Sequence, residues 1–308
     1  MGVVNVSNKK LLFVLNPLAG KGSVKNHLLG MIDILTKSGY EVTVYPTQEQ
    51  GDGIRIIEQK ADRYDVVACC GGDGTLDEVV TGMMKSNKER PIIYIPAGST
   101  NDFANSLHLP RNMIKATKEA VQGEKFCFDV GSFNDDYFVY IAAFGIFTDV
   151  SYETNQDMKN ILGHMAYLLE GMKRLSAIKS YPLKIMCNEK VIEDEFIFGM
   201  ITNSESVGGF KRITGDNVEL SDGEFEITLI KKPKNPIEMN NILQSLLIKD
   251  IDNESMYCFK SSEIRIESKE EIAWTLDGEF GGKQKDVTIK NIKQAICILK
   301  AKNLENEE

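Results

Sequence analysis

A chain of 308 residues is long enough for two domains, and its 42% hydrophobic and 26% charged residues are ordinary for a globular protein. Collagen-like, disordered and disulfide-scaffold classes are therefore excluded. The 36 basic and 45 acidic residues give a net charge of −9, which argues against broad binding to phosphates. We expect no nucleic-acid partner.

The first 130 residues alternate strand and helix patterns. Compact apolar runs predict strands at 10–16, 41–45, 65–70, 91–95 and 126–130. Apolar residues at helical spacing predict helices at 23–38, 51–62, 75–85 and 112–122. Strands that alternate with helices are typical of a parallel, doubly wound sheet. We therefore expect an α/β domain over residues 1–132.

The pattern changes after about residue 132. Strands are predicted in succession at 137–144, 181–188, 193–202, 223–230, 261–268 and 286–292, with helices only at 157–175 and 235–248. This predicts a β-rich second domain over residues 133–293, either a sandwich or an antiparallel assembly. The tail at about 294–308 either returns to the first domain or stays loose.

Cysteine and membrane signals are weak. The six cysteines form no C-x-x-C pair and mostly lie in apolar runs such as DVVACC and QAICIL, so we expect reduced, buried thiols in a reducing cytoplasm. The longest near-apolar run, 137–147, is far below the roughly 20 residues that a membrane-spanning helix needs. We expect a cytoplasmic protein with no transmembrane segment.

Three loops follow predicted parallel strands, where ligands bind in open α/β sheets. The first, NPLAGKGS (16–23), combines small residues with a following helix, which suits a polyanion, although an ordinary strand–helix turn is the alternative. It is not a Walker loop, because Pro17 and Gly22 stand where that motif needs Gly and Ser or Thr.

The second and third loops carry carboxylates. GGDGT (71–75) allows close backbone contact with phosphate, and Asp73 can reach magnesium directly or through water. PAGSTNDF (96–103) adds a hydroxyl, an amide and Asp102, with helix capping by Ser99 to Asp102 as the alternative. Together the three loops predict a phosphate-handling edge of the sheet.

Six segments occur in one order along the chain: NPLAGKG (16–22), GGDGTLDEVV (71–80), PAGSTNDFA (96–104), FDVG (128–131), LSDGEFEI (220–227) and LDGEFGGK (276–283). With them the sequence resembles the diacylglycerol kinase catalytic-domain family, and within it the soluble bacterial enzymes. GGDGT alone also occurs in phosphofructokinases and NAD kinases. The resemblance implies a phosphofructokinase- and NAD-kinase-like nucleotide domain, a C-terminal β-sandwich domain and an active site between them.

The resemblance also implies roles for individual residues. The expected ATP contacts are Asn16, Pro17, Leu18, Ala19, Gly20, Thr47, Gly71, Gly72, Asp73, Gly74, Thr75, Leu76, Asp77, Glu78, Thr100 and Asn101. Glu279 is expected to be the general base, although the residue alone could be a solvated turn residue. Asp73, Asp102 and Asp129 would form a magnesium-linked carboxylate network, and Lys21 completes the catalytic set.

A second, structural magnesium is implied in the LSDGEF loop. There Asp222 would bind through its side chain, and Glu219 and Glu224 through main-chain carbonyls. From the residues alone, Asp222-Gly223 could equally be a plain β-turn.

The implied reaction is Mg²⁺-dependent phosphoryl transfer from ATP to diacylglycerol or a related lipid, giving phosphatidate. The protein would meet this lipid at the inner face of the membrane, and helix 157–175 either faces the membrane or packs inward. The alternatives are another lipid acceptor, such as a long-chain base or a phospholipid headgroup, or a catalytically weak ATP- or lipid-binding regulator. The regulator remains an alternative because Asp77 and Glu170 stand where the family has Asn and Lys. A homodimer is suggested only by related proteins.

Overall fold

The computed structural model describes residues 9–146, 179–208, 210–211, 218–248 and 254–302. Its contacts divide the chain into two compact units, residues 1–128 with 294–308 and residues 129–293. The predicted helix at 157–175, with Glu170, lies outside the described residues. Within the described ranges, no helix is long and apolar enough to cross a membrane.

The first unit contains a parallel sheet flanked by helices. Its strands are β1 (Lys9–Leu15), β2 (Tyr40–Pro46), β3 (Val66–Gly71) and β4 (Ile92–Pro96), in the order β2-β1-β3-β4. Its helices are α1 (Val24–Lys37), α2 (Asp52–Lys60), α3 (Asp73–Ser86), α4 (Asp102–Ser106) and α5 (Met113–Val121). The predicted alternation is present, but the third loop contains the short helix α4, which the sequence did not predict.

Two neighbouring strands of this sheet, β3 and β4, are buried on both faces. All residues of β3 and β4 are buried, as expected for parallel strands covered by helices. On one face Ile93 and Ile95 pack with Phe13 and with residues of α1 and α5. On the other side of the unit, α2 and α3 approach closely, because a Cβ on Gly82 would lie 2.8 Å from Cβ of Ile57. This packing holds the carboxyl ends of the strands, and the loops that follow them, in place.

Two strands run from one unit into the other. They are β5 (Glu124–Phe133) and β15 (Glu279–Lys300). At its C-terminal end β15 pairs parallel with β4, Ile298 opposite Ile92. The end of β15, from residue 294 to Lys300, is therefore part of the first unit's sheet.

Cys127 and Cys297 form a disulfide, so the expectation of reduced cysteines is wrong for this pair. The two residues lie on β5 and β15, which are paired strands, with 3.9 Å between their Cα atoms. They are separated by 170 residues in the sequence, and only strand register brings them together. Of the free cysteines, Cys69, Cys70 and Cys187 are buried as expected, whereas Cys258 is exposed.

Reduction of this disulfide is expected to lower the free energy of unfolding by about 2–4 kcal/mol, because the bond closes a long loop in the unfolded chain. Thermal unfolding with and without a reducing agent measures the effect. The double variant Cys127→Ser/Cys297→Ser is the control, and its melting temperature should not respond to the reductant. Six reactive thiols in the non-reduced, denatured protein would contradict the disulfide.

The second unit is an antiparallel β structure. Besides the shared strands it contains β6 (Asp136–Phe138), β7 (Ile141–Gly145), β8 (Tyr181–Cys187), β9 (Lys190–Thr202), β10 (Ser206–Val207), β11 (Phe210–Lys211), β12 (Phe225–Lys231), β13 (Met256–Ser261) and β14 (Glu263–Leu276), with one helix among the described residues, α6 (Pro236–Ile248). The strand order is β13-β12-β9-β7-β14-β15. The long strands β9 and β14 each pair with β8 along one part and with β7 along another. In this unit's core Trp274 packs edge to face on Phe133 and in a tilted arrangement on Phe144.

Candidate functional site

The loop after β1 turns sharply and lies against the loop after β4. The Asn16 N–H donates to the Cys70 carbonyl at 2.9 Å, and the Asn16 side chain accepts the Leu18 N–H at 2.9 Å. Gly20 has φ +59°, and a Cβ there would lie 2.8 Å from the Ala97 oxygen. Only glycine allows this approach. Leu18 and Lys21 are exposed on the same loop.

The loops after β3 and β4 meet glycine to glycine. A Cβ on Gly98 would lie 2.6 Å from Cα of Gly72, and the Ala97 N–H donates to the Gly71 carbonyl at 2.7 Å. The contact between the two loops is therefore made by main-chain atoms. The three predicted loops converge at one edge of the sheet.

Asp73 links the second loop to the third. Its carboxylate accepts the Asp102 N–H at 3.1 Å and the Phe103 N–H at 3.4 Å, at the start of α4. The first amides of a helix have no partner within the helix, and here a carboxylate from another loop satisfies two of them. Capping by Ser99 to Asp102 is not what holds this helix. The Asp73 carboxylate thus lies beside the backbone of Asp102, a residue that is 2% exposed.

Asn101 shapes the turn that leads into α4. It has φ +52°, a left-handed conformation that Asn tolerates. Its side-chain oxygen accepts the Gly98 N–H at 2.8 Å, and its side-chain nitrogen donates to the Gly98 carbonyl at 2.9 Å. Thr100 is left exposed at the tip of the turn. A predicted contact residue is thereby a structural element of the loop as well.

The predicted contact residues at the start of α3 differ in burial and in their hydrogen-bond partners. Thr75 and Leu76 are buried, so their side chains belong to the core, while Gly74 is half-buried. Asp77 accepts from the Thr81 hydroxyl at 3.4 Å on the same helix. Glu78 turns away from the glycine loop and accepts the Gly51 N–H at 2.7 Å and the Gly53 N–H at 2.8 Å.

The Glu78 contacts fix the loop between β2 and α2, which carries Thr47. The Thr47 N–H donates to the Leu15 carbonyl at 2.9 Å, next to the first glycine-containing loop. A Cβ on Gly53 would lie 2.6 Å from a Glu78 carboxylate oxygen, so glycine is needed for this contact. Sequence reasoning placed Glu78 among the nucleotide contacts and missed this role, because it depends on two amides 25 and 27 residues away.

Buried ionisable groups beneath the loops are unsuited to proton transfer. Burial raises the pKa of Cys70 to about 12, and burial raises the pKa of Cys69 well above its usual range. The pKa of Tyr94 is also raised well above its usual range, by burial first and then by the Asp73 charge. Its hydroxyl has no hydrogen-bond partner in the described part of the chain. These groups stay protonated and serve as core.

Asp129, the third predicted carboxylate, lies in the second unit and is fully buried. Its carboxylate accepts the Gly223 N–H at 2.7 Å, and its own N–H donates to the Leu220 carbonyl at 2.8 Å. The buried Asn203 side chain donates to the Asp129 carbonyl at 3.0 Å. Asp129 thus anchors the LSDGEF turn, and sequence reasoning missed Asn203.

Asp222, whose side chain is predicted to bind the structural magnesium, has two partners in the second unit. One carboxylate oxygen lies 2.9 Å from Nζ of Lys260, and the other accepts the Glu224 N–H at 2.9 Å. Lys260 also lies 3.1 Å from Glu226, whose pKa burial raises to about 7 against the lowering effect of Lys260. Among the residues that the structure describes, no group of three or more His, Cys, Asp or Glu side chains could hold a metal ion.

A divalent cation at Asp222 would therefore have to displace the Lys260 ammonium. Glu219 is exposed, and its expected contribution, like that of Glu224, was a main-chain carbonyl. The magnesium site at Glu219, Asp222 and Glu224 remains a prediction.

Glu279 lies at the tip of the hairpin between β14 and β15. Leu276 and Glu279 are paired across a two-residue turn of Asp277 and Gly278, with φ +49° and +86°. Positive φ at both turn residues is characteristic of a type I′ turn, which Asp-Gly favours. Glu279 is exposed at the first position of β15. The turn therefore presents a carboxylate at the surface of the second unit.

Comparison with known proteins gives one consistent relationship. Residues 10–133 match the family model described as the diacylglycerol kinase catalytic domain. A diacylglycerol kinase of Staphylococcus carnosus (strain TM300) is 32% identical over 304 residues, covering 97% of this chain and 98% of the relative. The diacylglycerol kinase of Bacillus subtilis (strain 168) is 30% identical over 276 residues, covering 89% and 91%.

Solved structures have the same fold. A crystal structure of a protein from Bacillus anthracis strain Sterne, assigned provisionally as a diacylglycerol kinase, matches with a TM-score of 0.81 at 25% identity. The match covers 97% of this chain and 98% of that one. Both units therefore have counterparts in that structure.

Proposed function

Because this chain belongs to the diacylglycerol kinase family, we propose that it is a lipid kinase that transfers the γ-phosphoryl group of ATP to the hydroxyl of diacylglycerol or a related lipid. With diacylglycerol the product is phosphatidate. The observation that carries the proposal is the convergence of three loops at one sheet edge, where Asp73 of the second loop caps the helix of the third.

ATP is held by main-chain groups of the three loops. Phosphoryl transfer depends mainly on positioning and neutralisation of charge, which backbone amides and Lys21 supply. The oxygen donors of Asp73 and Asp102 suit Mg²⁺ and would hold it beside the phosphates. When bound, the metal ion neutralises developing charge on the phosphoryl oxygens.

Glu279 is the proposed general base. A lipid hydroxyl is a poor nucleophile, and a carboxylate within hydrogen-bond reach removes its proton as it attacks phosphorus. Exposure at a hairpin tip is compatible with access to a hydroxyl at a membrane surface. The proposal requires the protein to approach the membrane peripherally, because its acceptor resides there.

The first experiment is a phosphorylation assay with purified protein, labelled ATP, Mg²⁺ and diacylglycerol in mixed micelles. Labelled phosphatidate is the expected product. Parallel micelles containing a long-chain base or a phospholipid identify another acceptor. Binding of ATP without transfer to any lipid would contradict the kinase and favour a regulatory nucleotide-binding protein.

Glu78→Ala is expected to raise the KM for ATP about tenfold with a smaller effect on the KM for lipid. Its carboxylate holds the loop that carries Thr47 through the Gly51 and Gly53 amides, so its removal leaves two amides without their acceptor. Initial rates at varied ATP test this. The control is Asn112→Ala, which removes the N-cap of α5, where Asn112 accepts the Lys115 N–H at 2.9 Å. An equal rise in the KM for ATP in both variants would contradict a specific effect.

A further inference from the structure

Asp277 is bound to a different strand from the two that its hairpin joins. It is 5% exposed. One carboxylate oxygen accepts the Val139 N–H at 2.5 Å, and the other accepts the N–H groups of Tyr140 at 2.9 Å and Ile141 at 3.0 Å. The Asp277 N–H in turn donates to the Ile141 carbonyl at 2.9 Å. Four hydrogen bonds therefore tie this one residue to the start of β7.

These contacts determine where the hairpin tip lies. Strand β14 pairs with β7 up to Leu276 opposite Ala142, and Asp277 continues the attachment one residue further. Hydrogen bonds from amides to an ionised carboxylate are among the stronger ones in proteins. A turn of two residues then leads directly to Glu279. The position of the Glu279 backbone is thus set from β7 by the Asp277 carboxylate.

We propose that Asp277 is a positioning residue for the reaction: its carboxylate, bound to three consecutive amides, holds the hairpin so that Glu279 meets the acceptor hydroxyl. The inference rests on the proposed function, in which Glu279 is the base. Asp277 does not share that chemical role, because it is buried and both of its oxygens accept backbone amides. In this proposal the Asp277 carboxylate positions the hairpin, and the Glu279 carboxylate accepts the proton.

Asp277→Asn is the sharpest variant. Asn-Gly also favours a type I′ turn, so the hairpin is retained. One oxygen becomes an NH₂ group that faces a buried N–H, so the attachment to β7 is weakened while side-chain volume is unchanged. We expect kcat to fall at least about tenfold, because a misplaced Glu279 slows the chemical step. The KM for ATP should stay within about twofold of the wild-type value. Asp277→Gly, which keeps the turn without a side chain, should give the same pattern.

The double variant Asp277→Asn/Glu279→Gln separates positioning from general stability. If Asp277 acts through Glu279, the double variant should be no slower than Glu279→Gln alone, because groups that act as a unit are not additive. Asn134→Ala is the matched control. Asn134 lies in the turn between β5 and β6 and binds β15 of the same unit. It accepts the Thr288 N–H at 2.9 Å and donates to the Asp286 carbonyl at 3.2 Å. It should lower the melting temperature and leave kcat unchanged.

Two results would overturn the inference: wild-type kcat in both Asp277 variants, or losses that multiply in the double variant. A fully active Glu279→Gln variant would instead contradict the assignment of Glu279 as the base. A wild-type protein without kinase activity would contradict the proposed lipid kinase function. Those two failures are recognised without any Asp277 variant. Circular dichroism confirms that each variant compared is folded.

Discussion

Glu279→Gln is expected to lower kcat by a factor of about 10² to 10⁴, the usual contribution of a positioned general base. Glutamine has nearly the same shape as glutamate but cannot accept a proton at neutral pH. Because Glu279 is exposed at a type I′ turn, the substitution should leave the fold and the melting temperature unchanged. The KM for ATP should also stay the same, since the proposed ATP contacts lie in the first unit.

The matched control is Glu271→Gln, which makes the same change at an exposed position of β14 in the same hairpin. It should retain wild-type kcat. Initial rates in diacylglycerol micelles, at saturating ATP and Mg²⁺, measure both variants. A Glu279→Gln rate within about twofold of the wild type would contradict its role as the base, because a loss that small is below any general-base contribution.

The edge of the sheet at which the three loops lie could be predicted because its signals are local, while its role in phosphate handling stays a prediction. Each loop directly follows a buried strand, and each carries small residues that a packed core would not need. Parallel strands end at one edge, so the order of strands and loops was enough to place the three loops there, whereas the close contacts of Gly20, Gly72 and Gly98 were not predicted. The cap that Asp73 gives α4 was not predicted, because the helix is only five residues long and has no periodicity of its own.

Features that depend on register could not be predicted. The Cys127–Cys297 bond and the attachment of Asp277 to residues 139–141 join segments 170 and about 137 residues apart. Alternating patterns identify strands but not their partners. For the same reason β15 was read as a strand at 286–292 and a separate tail, although it is one strand of 22 residues.

One contact of a predicted ligand could not be read from the sequence. Asp222 was assigned to a cation because the Asp-Gly turn resembles a family element. Its contacts include Nζ of Lys260 at 2.9 Å, a residue 38 positions later that no local pattern connects with it. A charged partner from a distant strand thus changes the electrostatic surroundings of Asp222, and the magnesium site there stays a prediction.

Asp73→Asn is expected to lower kcat by a factor of about 100 or more, because loss of a carboxylate beside a metal-bound phosphate costs several kcal/mol of charge stabilisation. Asparagine keeps one side-chain oxygen that can accept the Asp102 N–H, so the cap on α4 is largely retained. The substitution therefore changes charge more than structure. The Mg²⁺ concentration that gives half the maximal rate should rise, while the KM for lipid should stay the same.

Initial rates over a range of Mg²⁺ concentrations test this expectation, with thermal unfolding as the check on folding. The control is Asp33→Asn, which removes an exposed carboxylate of α1 that binds Lys37 at 2.7 Å and should affect neither rate nor Mg²⁺ dependence. A wild-type Mg²⁺ profile in Asp73→Asn would contradict a metal role for this residue. Its carboxylate would then act only as the cap of α4, and the acidic pair with Asp102 would no longer support Mg²⁺ binding at this edge of the sheet.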